Sequence, residues 1–413
     1  MAPLAATPGV SASNVSSSTT NCVTPSTLQI TQLDILTADV GEPGAPRVYV
    51  FVRLLTDEGI VGYGEPSCVG MEQAVVGAVR DLQHLVIGAD PLAIERLLGD
   101  MTRTIIWRGG PVVSAAISGI EHALWDIKGK ALGVPVWQLL GGRVRDRIEC
   151  YAWIHGGEPD SYADGARKRL AEGFRTVKFT PFEGTGLGHD VAHGQRAEAR
   201  IRAVREAVGD DIGIAIDAHG LLNPVNAVEM ARCIAPYGIL FYEEPILPES
   251  PRALADVRRR IDIPVATGER LFGRHAFRDL LVHEAVDVIQ ADVGNAGGIL
   301  EVYKIAVMAE AFYVSLAPHN PWSPLSTAIS LHLDAVAPNF LIQEIPTAGA
   351  HAGRARLLQQ QIETPKDGFL DIPEGPGWGV DLDEEFIAAH PWDPSIPKTP
   401  WRRQRPDGGL IHS

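Results

Sequence analysis

Three short segments decide the fold of this chain: IAIDAH (214–219), FYEEP (241–245) and VATGER (265–270). Each segment contains a mostly apolar run of strand length followed by an acidic residue, and Asp217, Glu243 and Glu269 lie 26 and 26 positions apart. That interval accommodates one strand, one helix and their turns. The pattern therefore predicts consecutive strand and helix units of a parallel sheet, in which the same structural position carries a carboxylate each time.

Runs of the same kind recur on both sides of these segments. Eight are found, near residues 149–154, 175–180, 212–217, 239–244, 264–268, 287–292, 313–317 and 340–343. A polar turn and an amphipathic helical segment follow the runs, and their nearly continuous apolar character is typical of strands that are covered on both faces. The sequence predicts an α/β fold with a (β/α) barrel over residues 149–345, whose active site lies at the carboxyl ends of the strands.

The rest of the chain divides into three parts. Residues 28–148 begin as a strand-like meander and continue with helical periodicity, clearest over 115–127, which predicts an α+β domain. Residues 346–413 are rich in Pro, Gly and Trp, and we expect them to return to that first domain. Residues 1–27 are rich in Ser, Thr and Ala and are interpreted as a flexible tail.

Composition limits the class of protein and its partners. The 413 residues are 45% hydrophobic and 21% charged, which is typical of a globular protein, and no apolar stretch approaches the length of a membrane helix. The formal net charge of −15 disfavours nucleic acid and anionic membranes as partners. Four widely separated cysteines and an opening without a basic leader favour the cytoplasm.

The three acidic residues are candidate metal ligands. Adjacent strands lie about 4.8 Å apart, so Asp217, Glu243 and Glu269 would meet at the barrel mouth. Three uncompensated carboxylates repel one another unless their pKa values rise or a divalent cation lies between them. Mg²⁺ suits an all-oxygen site best, with Mn²⁺ a chemical near-equivalent. The alternative is that some of them are salt-bridged strand termini.

Two histidines are candidate acid and base groups. His219 follows Asp217 by two positions and points to the same side if the chain stays extended. Asp292 ends the sixth run and His319 the seventh, and an aspartate beside a histidine raises the basicity of the imidazole and fixes its tautomer. The eighth run ends at Glu344. A single histidine is more often structural, but this constellation predicts proton transfer.

Several longer motifs carry a family resemblance: GYGEP (62–66), WRGGP (107–111), ALWDIKGKALGVPVWQLLGG (123–142), QADVGNAGGI (290–299) and LAPHNP (316–321). With them the chain resembles the enolase superfamily, in its mandelate racemase subgroup, and within it the galactonate-type sugar-acid dehydratases. The resemblance implies a (β/α)₇β barrel with an α+β capping domain built from the N-terminal segment and the C-terminal tail. It also implies one Mg²⁺ per active site, a small-molecule sugar-acid substrate and a homo-oligomer, either a dimer or an octamer.

The resemblance also implies a role for each candidate residue: Mg²⁺ ligands Asp217, Glu243 and Glu269, general base His319 with Asp292, general acid His219, and a carboxylate near the substrate carboxyl group, Glu344. The implied reaction removes the proton α to the carboxylate of an aldonate and forms an ene-diolate stabilised by the metal ion. Protonation of the C3 hydroxyl by His219 then expels water, which leaves a 2-keto-3-deoxy acid.

The second barrel strand separates members of the family. It ends at VKFT (177–180), whereas many racemases and epimerases of the subgroup carry Lys-x-Lys there. Thr180 replaces the second lysine, which favours a dehydratase. Lys178 and Thr180 are predicted to contact substrate, as are His155 after the first strand and Arg108 in the first domain. For Lys178 the alternative is a lysine that snorkels at the barrel rim, and for Arg108 it is simple packing between domains.

The glycine-rich loop at 181–194 lacks the GxGxxG spacing of a dinucleotide site and is interpreted as a mobile loop near the substrate hydroxyls. Three functions therefore stay open. The first is a Mg²⁺-dependent sugar-acid dehydratase. The second is an epimerase or cycloisomerase of the same superfamily that acts on a sugar acid or anhydro-sugar acid. The third is a non-catalytic carbohydrate-binding barrel.

Overall fold

The computed structural model describes residues 28–42, 47–104, 106–182, 191–346 and 353–396. The predicted tail and most of the glycine-rich loop lie outside these residues. The first domain combines an antiparallel sheet of order β1-β2-β3 with helices. Its elements are β1 (Ile30–Asp39), β2 (Val48–Thr56), β3 (Val61–Gly64), α1 (Glu72–Val86), α2 (Ile94–Arg103), α3 (Pro111–Leu132) and α4 (Val136–Leu139). This arrangement matches the α+β character that the sequence predicts.

Helix α3 forms the centre of this domain, and β3 packs directly against it. The side chains of residues 115–127 in α3 are all buried, which explains why its sequence is apolar around most of its circumference. A Cβ atom added at Gly64 would lie 1.9 Å from the carbonyl oxygen of Gly119 in α3. Only glycine therefore permits this close approach of strand and helix.

The barrel contains eight parallel strands and seven intervening helices in the described part of the chain. The strands are β4 (Arg147–Trp153), β5 (Thr176–Phe179), β6 (Gly213–Asp217), β7 (Ile239–Glu243), β8 (Val265–Thr267), β9 (Val288–Ile289), β10 (Ser315–Leu316) and β11 (Gln343–Ile345). The helices are α5 (Pro159–Ala171), α6 (Val191–Val208), α7 (Pro224–Ile234), α8 (Pro251–Arg258), α9 (Arg274–Val282), α10 (Ile299–Glu310) and α11 (Pro324–Val336).

Hydrogen bonds connect neighbouring strands in the order β10-β9-β8-β7-β6-β5-β4-β11. A parallel bridge between Leu316 and Phe340, and a 2.7 Å hydrogen bond from the Leu341 N–H to the Leu316 carbonyl, join the two ends of this series. The predicted (β/α)₇β barrel is thus confirmed, and all strand carboxyl ends lie at one edge of it.

The C-terminal segment contacts both the barrel and the first domain. Its strand β12 (Phe369–Asp371) pairs antiparallel with β4, and it contains the short helix α12 (Glu384–Ala388). Arg53 of the first domain lies 3.0 Å from the Glu384 carboxylate, and the Asp39 N–H donates to the His390 carbonyl at 2.9 Å. The exact domain boundaries stay a prediction. Among the described residues, no helix combines the length and the apolar character needed to cross a bilayer.

Two buried carboxylates of the first domain cap barrel helices. Glu121 of α3 accepts hydrogen bonds from the N–H groups of Ile299 and Leu300, at 3.0 and 2.9 Å, where α10 begins. Glu65 accepts from the N–H of Ser323, the residue that caps α11, at 3.1 Å. Because these hydrogen bonds satisfy N–H groups that have no partner within the helix, they hold the starts of both helices against the first domain.

Candidate active site

Each barrel strand places one polar or aromatic side chain at the same edge, within the strand or shortly after its last residue. In the spatial order of the strands from β4 to β10, and then β11, these residues are Trp153, Lys178, Asp217, Glu243, Glu269, Asp292, His319 and Glu344. Seven of the eight are predicted from the sequence. The parallel ladder explains the convergence, because it aligns the carboxyl ends of all strands.

Asp217, Glu243 and Glu269 form a compact cluster of carboxylates. One oxygen from each lies within 4.8 Å of the other two. Burial raises the pKa of Asp217 to about 7 and that of Glu243 to about 8, and repulsion from the neighbouring carboxylates adds to both shifts. Asp217 Oδ2 and Glu243 Oε1 are buried and accept no hydrogen bond from the described residues. Such an all-oxygen donor set, with unsatisfied oxygens at its centre, fits a hard divalent cation.

Lys178 lies beneath this cluster rather than at the rim. Its Nζ is 2.7 Å from Glu243 Oε2, 3.2 Å from Glu344 Oε1 and 3.8 Å from Asp217 Oδ2, and the side chain is completely buried. Burial acts to lower the pKa of Lys178, but these carboxylates outweigh it and hold that pKa well above its usual value. The snorkelling alternative is therefore wrong, because the carboxylates replace water as the partners of the ammonium group.

His319 and Asp292 form a hydrogen-bonded pair. His319 Nδ1 lies 2.7 Å from Asp292 Oδ2, and the opposite ring atom, Nε2, lies 3.3 Å from Glu269 Oε2. Burial acts to lower the pKa of His319, but Glu269 and Asp292 outweigh it and raise that pKa to about 10. Trp322 Nε1 donates to the same Asp292 oxygen at 2.6 Å, and the Gly294 N–H donates to Oδ1 at 2.6 Å. The aspartate is thus held on both oxygens.

His219 stands at the other end of the cluster. Its ring atom Nε2 lies 3.4 Å from Asp217 Oδ2, and its backbone N–H donates to Asp217 Oδ1 at 2.8 Å. The chain does not stay extended up to this residue, because His219 has a φ of 48° and lies in a turn. The hydrogen bond to the aspartate supports this left-handed conformation. The two imidazoles therefore contact different carboxylates, His219 that of Asp217 and His319 that of Glu269.

Glu344 is buried beside Lys178 and accepts from three donors. They are the Lys178 ammonium, the Asn320 N–H at 2.8 Å and the indole Nε1 of Trp153. Burial acts to raise the pKa of Glu344, but Lys178 and His319 outweigh it and lower that pKa. This side chain consequently carries a negative charge that is already well compensated within the protein.

The remaining predicted substrate-binding residues differ in their placement. Thr180 is buried at the end of β5, and its hydroxyl has no hydrogen-bond partner among the described residues. His155 is exposed and stacks on Trp153, with ring centroids 5.7 Å apart. Arg108 is exposed and donates to the carbonyl of Arg103 at 3.4 Å. No described contact brings Arg108 to the barrel mouth or packs it between the domains.

Sequence reasoning missed two tryptophans, Trp153 and Trp322. Both donate an indole N–H to a carboxylate of the site, Trp153 to Glu344 and Trp322 to Asp292. Trp153 is the last residue of β4, so its position at a strand end was the one available signal. Trp322 lies beyond the strand end in the loop before α11, where no periodic pattern marks it.

Comparisons with known proteins identify relatives over most of the chain. Residues 44–141 match the mandelate racemase / muconate lactonizing enzyme N-terminal domain, and residues 161–386 match the enolase C-terminal domain-like family. The chain is 40% identical over 371 residues to D-galactonate dehydratase of Pectobacterium atrosepticum, which covers 88% of this chain and 96% of that protein.

Solved structures show the same relationship. One is the crystal structure of an enolase from Agrobacterium radiobacter, a candidate galactarate dehydratase with bound sodium and L-malate, at 33% identity and TM-score 0.86 over 93% of this chain and 100% of that one. Another is a candidate dehydratase from Mesorhizobium loti, at 36% identity and TM-score 0.82 over 88% of this chain and 99% of that one. The chain belongs to the mandelate racemase and muconate lactonizing enzyme family of the enolase superfamily.

Proposed function

We propose that this protein is a Mg²⁺-dependent dehydratase that converts a sugar acid, an aldonate resembling galactonate, into a 2-keto-3-deoxy acid. The observation that carries the proposal is the placement of His219 and His319 beside different carboxylates of one cluster. A dehydration of this type needs both a base for carbon and an acid for oxygen. The identity to a D-galactonate dehydratase supports the substrate class.

Asp217, Glu243 and Glu269 would hold the metal ion, as their clustered and unsatisfied oxygens favour. When bound, Mg²⁺ would act as a Lewis acid and offset the negative charge that develops on the substrate carboxylate. Lys178 and Glu344 lie next to the cluster. The buried ammonium of Lys178 attracts the substrate carboxylate and also compensates the charge of its own neighbours.

His319 is the base that removes the proton from C2. Asp292 accepts a hydrogen bond from Nδ1, and a metal ion held by Glu269 would offset the carboxylate charge that raises the pKa of His319, so that Nε2, the atom that faces the carboxylate cluster, would carry the lone pair. Trp322 and Gly294 donate to Asp292 and keep its oxygens oriented. The C2–H bond breaks, the proton moves to His319 Nε2, and the electron pair of that bond delocalises from C2 into the substrate carboxylate, which gives the ene-diolate.

His219 is the acid that releases water. It donates a proton to the C3 hydroxyl as the C3–O bond breaks and the C2–C3 double bond forms. The enol product then tautomerises to the 2-keto-3-deoxy acid in a step that needs no further residue. Thr180, in place of the lysine base of many racemases, leaves no second base on that side and favours water loss over epimerisation.

A panel of aldonic acids incubated in D₂O with Mg²⁺ tests the proposal. The wild-type protein should form a keto-deoxy acid, detected by NMR and mass spectrometry. His319→Asn should lose both product formation and deuterium exchange at C2, whereas His219→Asn should keep exchange and lose water release. Deuterium at C2 without water loss in the wild type would instead support the epimerase or cycloisomerase. Failure to turn over any acid, with ligand binding insensitive to EDTA, would support a non-catalytic barrel.

The oligomeric state of the protein stays a prediction as well. Members of this family are expected to form homodimers or octamers, and light scattering coupled to size-exclusion chromatography measures this directly.

A further inference from the structure

One aromatic side chain contacts several residues of the site. The ring of Trp153, at the end of β4, lies parallel to that of His219, with centroids 5.7 Å apart and planes at 24°. Its ring centroid is 4.7 Å from Lys178 Nζ, and its indole N–H donates to Glu344. His155 stacks on it as well, with planes at 16°. Trp153 thus touches four residues that the sequence singled out.

These contacts point to a positioning role rather than to sugar binding. The hydrogen bond to Glu344 fixes the rotation of the indole, because Glu344 is itself held by the Asn320 N–H at 2.8 Å. A fixed indole plane then limits the orientations open to the stacked imidazole of His219. The backbone N–H of His219 is in turn anchored to Asp217 Oδ1 at 2.8 Å.

We propose that Trp153 is a positioning residue for the acid step: it holds the His219 ring in the orientation that delivers a proton to the leaving hydroxyl group. This inference rests on the proposed dehydration. It predicts a separation of two steps that a merely structural tryptophan would not produce. Proton removal by His319 should continue when Trp153 is changed, while water loss should slow.

The test compares rates of water loss and of C2 deuterium exchange in D₂O for the same aldonate. Trp153→Leu, which removes the ring, should lower the ratio of water loss to exchange at least about tenfold, which is part of the roughly 10²–10⁴-fold that a positioned acid contributes. Trp153→Phe keeps a stacking ring but loses the N–H that fixes its plane, so its ratio should lie between those of Trp153→Leu and the wild type. Because Trp153 also contacts Lys178 and Glu344, its loss can weaken binding of the substrate carboxylate. Such weakening would lower both rates by the same factor and cancel in their ratio.

Trp322→Phe is the matched control, since that tryptophan acts through Asp292 on the base. It should lower both rates together and leave the ratio unchanged. A Trp153→Leu protein whose ratio equals that of the wild type, or in which both rates fall together, would overturn the inference. If Trp153→Leu does not fold, Trp153→Met replaces it under the same criteria.

Failure of the proposed function has a different signature, because the wild type would then release no water from any acid. In that case crystal structures of the wild type and Trp153→Leu test the positioning of the His219 ring separately from the reaction. An altered ring orientation in the variant would support the positioning, and an unchanged orientation would overturn it.

Discussion

Replacing Glu65 by glutamine tests how the first domain holds the base side of the barrel. Glu65 is only 1% exposed, and one oxygen accepts from the Ser323 N–H and the Ser67 hydroxyl, each at 3.1 Å. The other accepts from the Ser326 N–H at 3.2 Å and from the Ser323 hydroxyl. Burial raises the pKa of Glu65 from 4.5 to about 7, although these donors oppose the shift.

The raised pKa determines the sign of the effect. The folded protein binds this proton more tightly than the unfolded chain, so the contribution to stability is fully present below pH 4.5 and is lost as the pH rises through about 7. At about 1.4 kcal/mol per pKa unit, the loss is about 3 kcal/mol. Glutamine does not titrate and avoids this loss, but its amide N–H₂ faces a donor at a cost of about 1–3 kcal/mol.

Glu65→Gln should therefore be less stable than the wild type at pH 5 and gain about 3 kcal/mol relative to it by pH 8. Urea denaturation followed by circular dichroism at four pH values measures the difference in free energy of unfolding between the variant and the wild type. The contributions of the other titrating groups are common to both proteins and cancel in this difference. Ser67→Ala is the control, because it removes one donor and leaves the carboxyl group in place. A difference that is constant with pH would show that the donors cancel the effect of burial, and a variant that loses stability relative to the wild type as the pH rises would show that they outweigh it; either result would refute the reasoning.

Three further outcomes follow from the geometry. Saturating Mg²⁺ should raise the free energy of unfolding of the wild type by about 3 kcal/mol at a hundred times the dissociation constant, and Glu243→Gln should abolish most of this gain in thermal scans with and without EDTA. Lys178→Met should cost about 3–5 kcal/mol in urea without metal, because it leaves buried carboxylates unpaired; an unchanged midpoint would contradict that. Gly64→Ala should unfold the first domain or make it insoluble, since its Cβ would lie 1.9 Å from a helix carbonyl, whereas Gly77→Ala in α1, with nothing within 4 Å, should be neutral or stabilising.

The barrel was predictable because its signal is local and repeated. Each buried strand needs an apolar run, and each run ends at a residue that faces the same edge, so Asp217, Glu243 and Glu269 could be grouped from spacing alone. The pairing of Asp292 with His319 follows from the same rule, since their strands are neighbours. Hydrogen bonding between adjacent strands converts sequence interval into proximity, and this part of the site therefore needed no tertiary information.

The residues whose positions the sequence did not predict depend on contacts between distant segments of the chain. The sequence left a position at the barrel rim possible for Lys178, because a lysine ammonium group is usually exposed to water. The carboxylates that stabilise it in the interior come from other strands. The indole of Trp153 meets Glu344 from 191 positions away, and no local pattern encodes that bond. Arg108 belongs to a motif with suitable chemistry, yet its position depends on how an exposed loop of the first domain is placed.

Different residues support the base side and the acid side of the site, so mutations can affect one side without the other. On the base side, His319 depends on Asp292 and Trp322, and the first domain supports that side through Glu65 at the start of α11. On the acid side, the His219 ring is stacked on a residue of β4 in the barrel itself. Because these supports share no residue, changes at one end should alter proton removal and changes at the other should alter the fate of the enolate. A fold organised in this way can keep one base and vary the product by substituting around the acid.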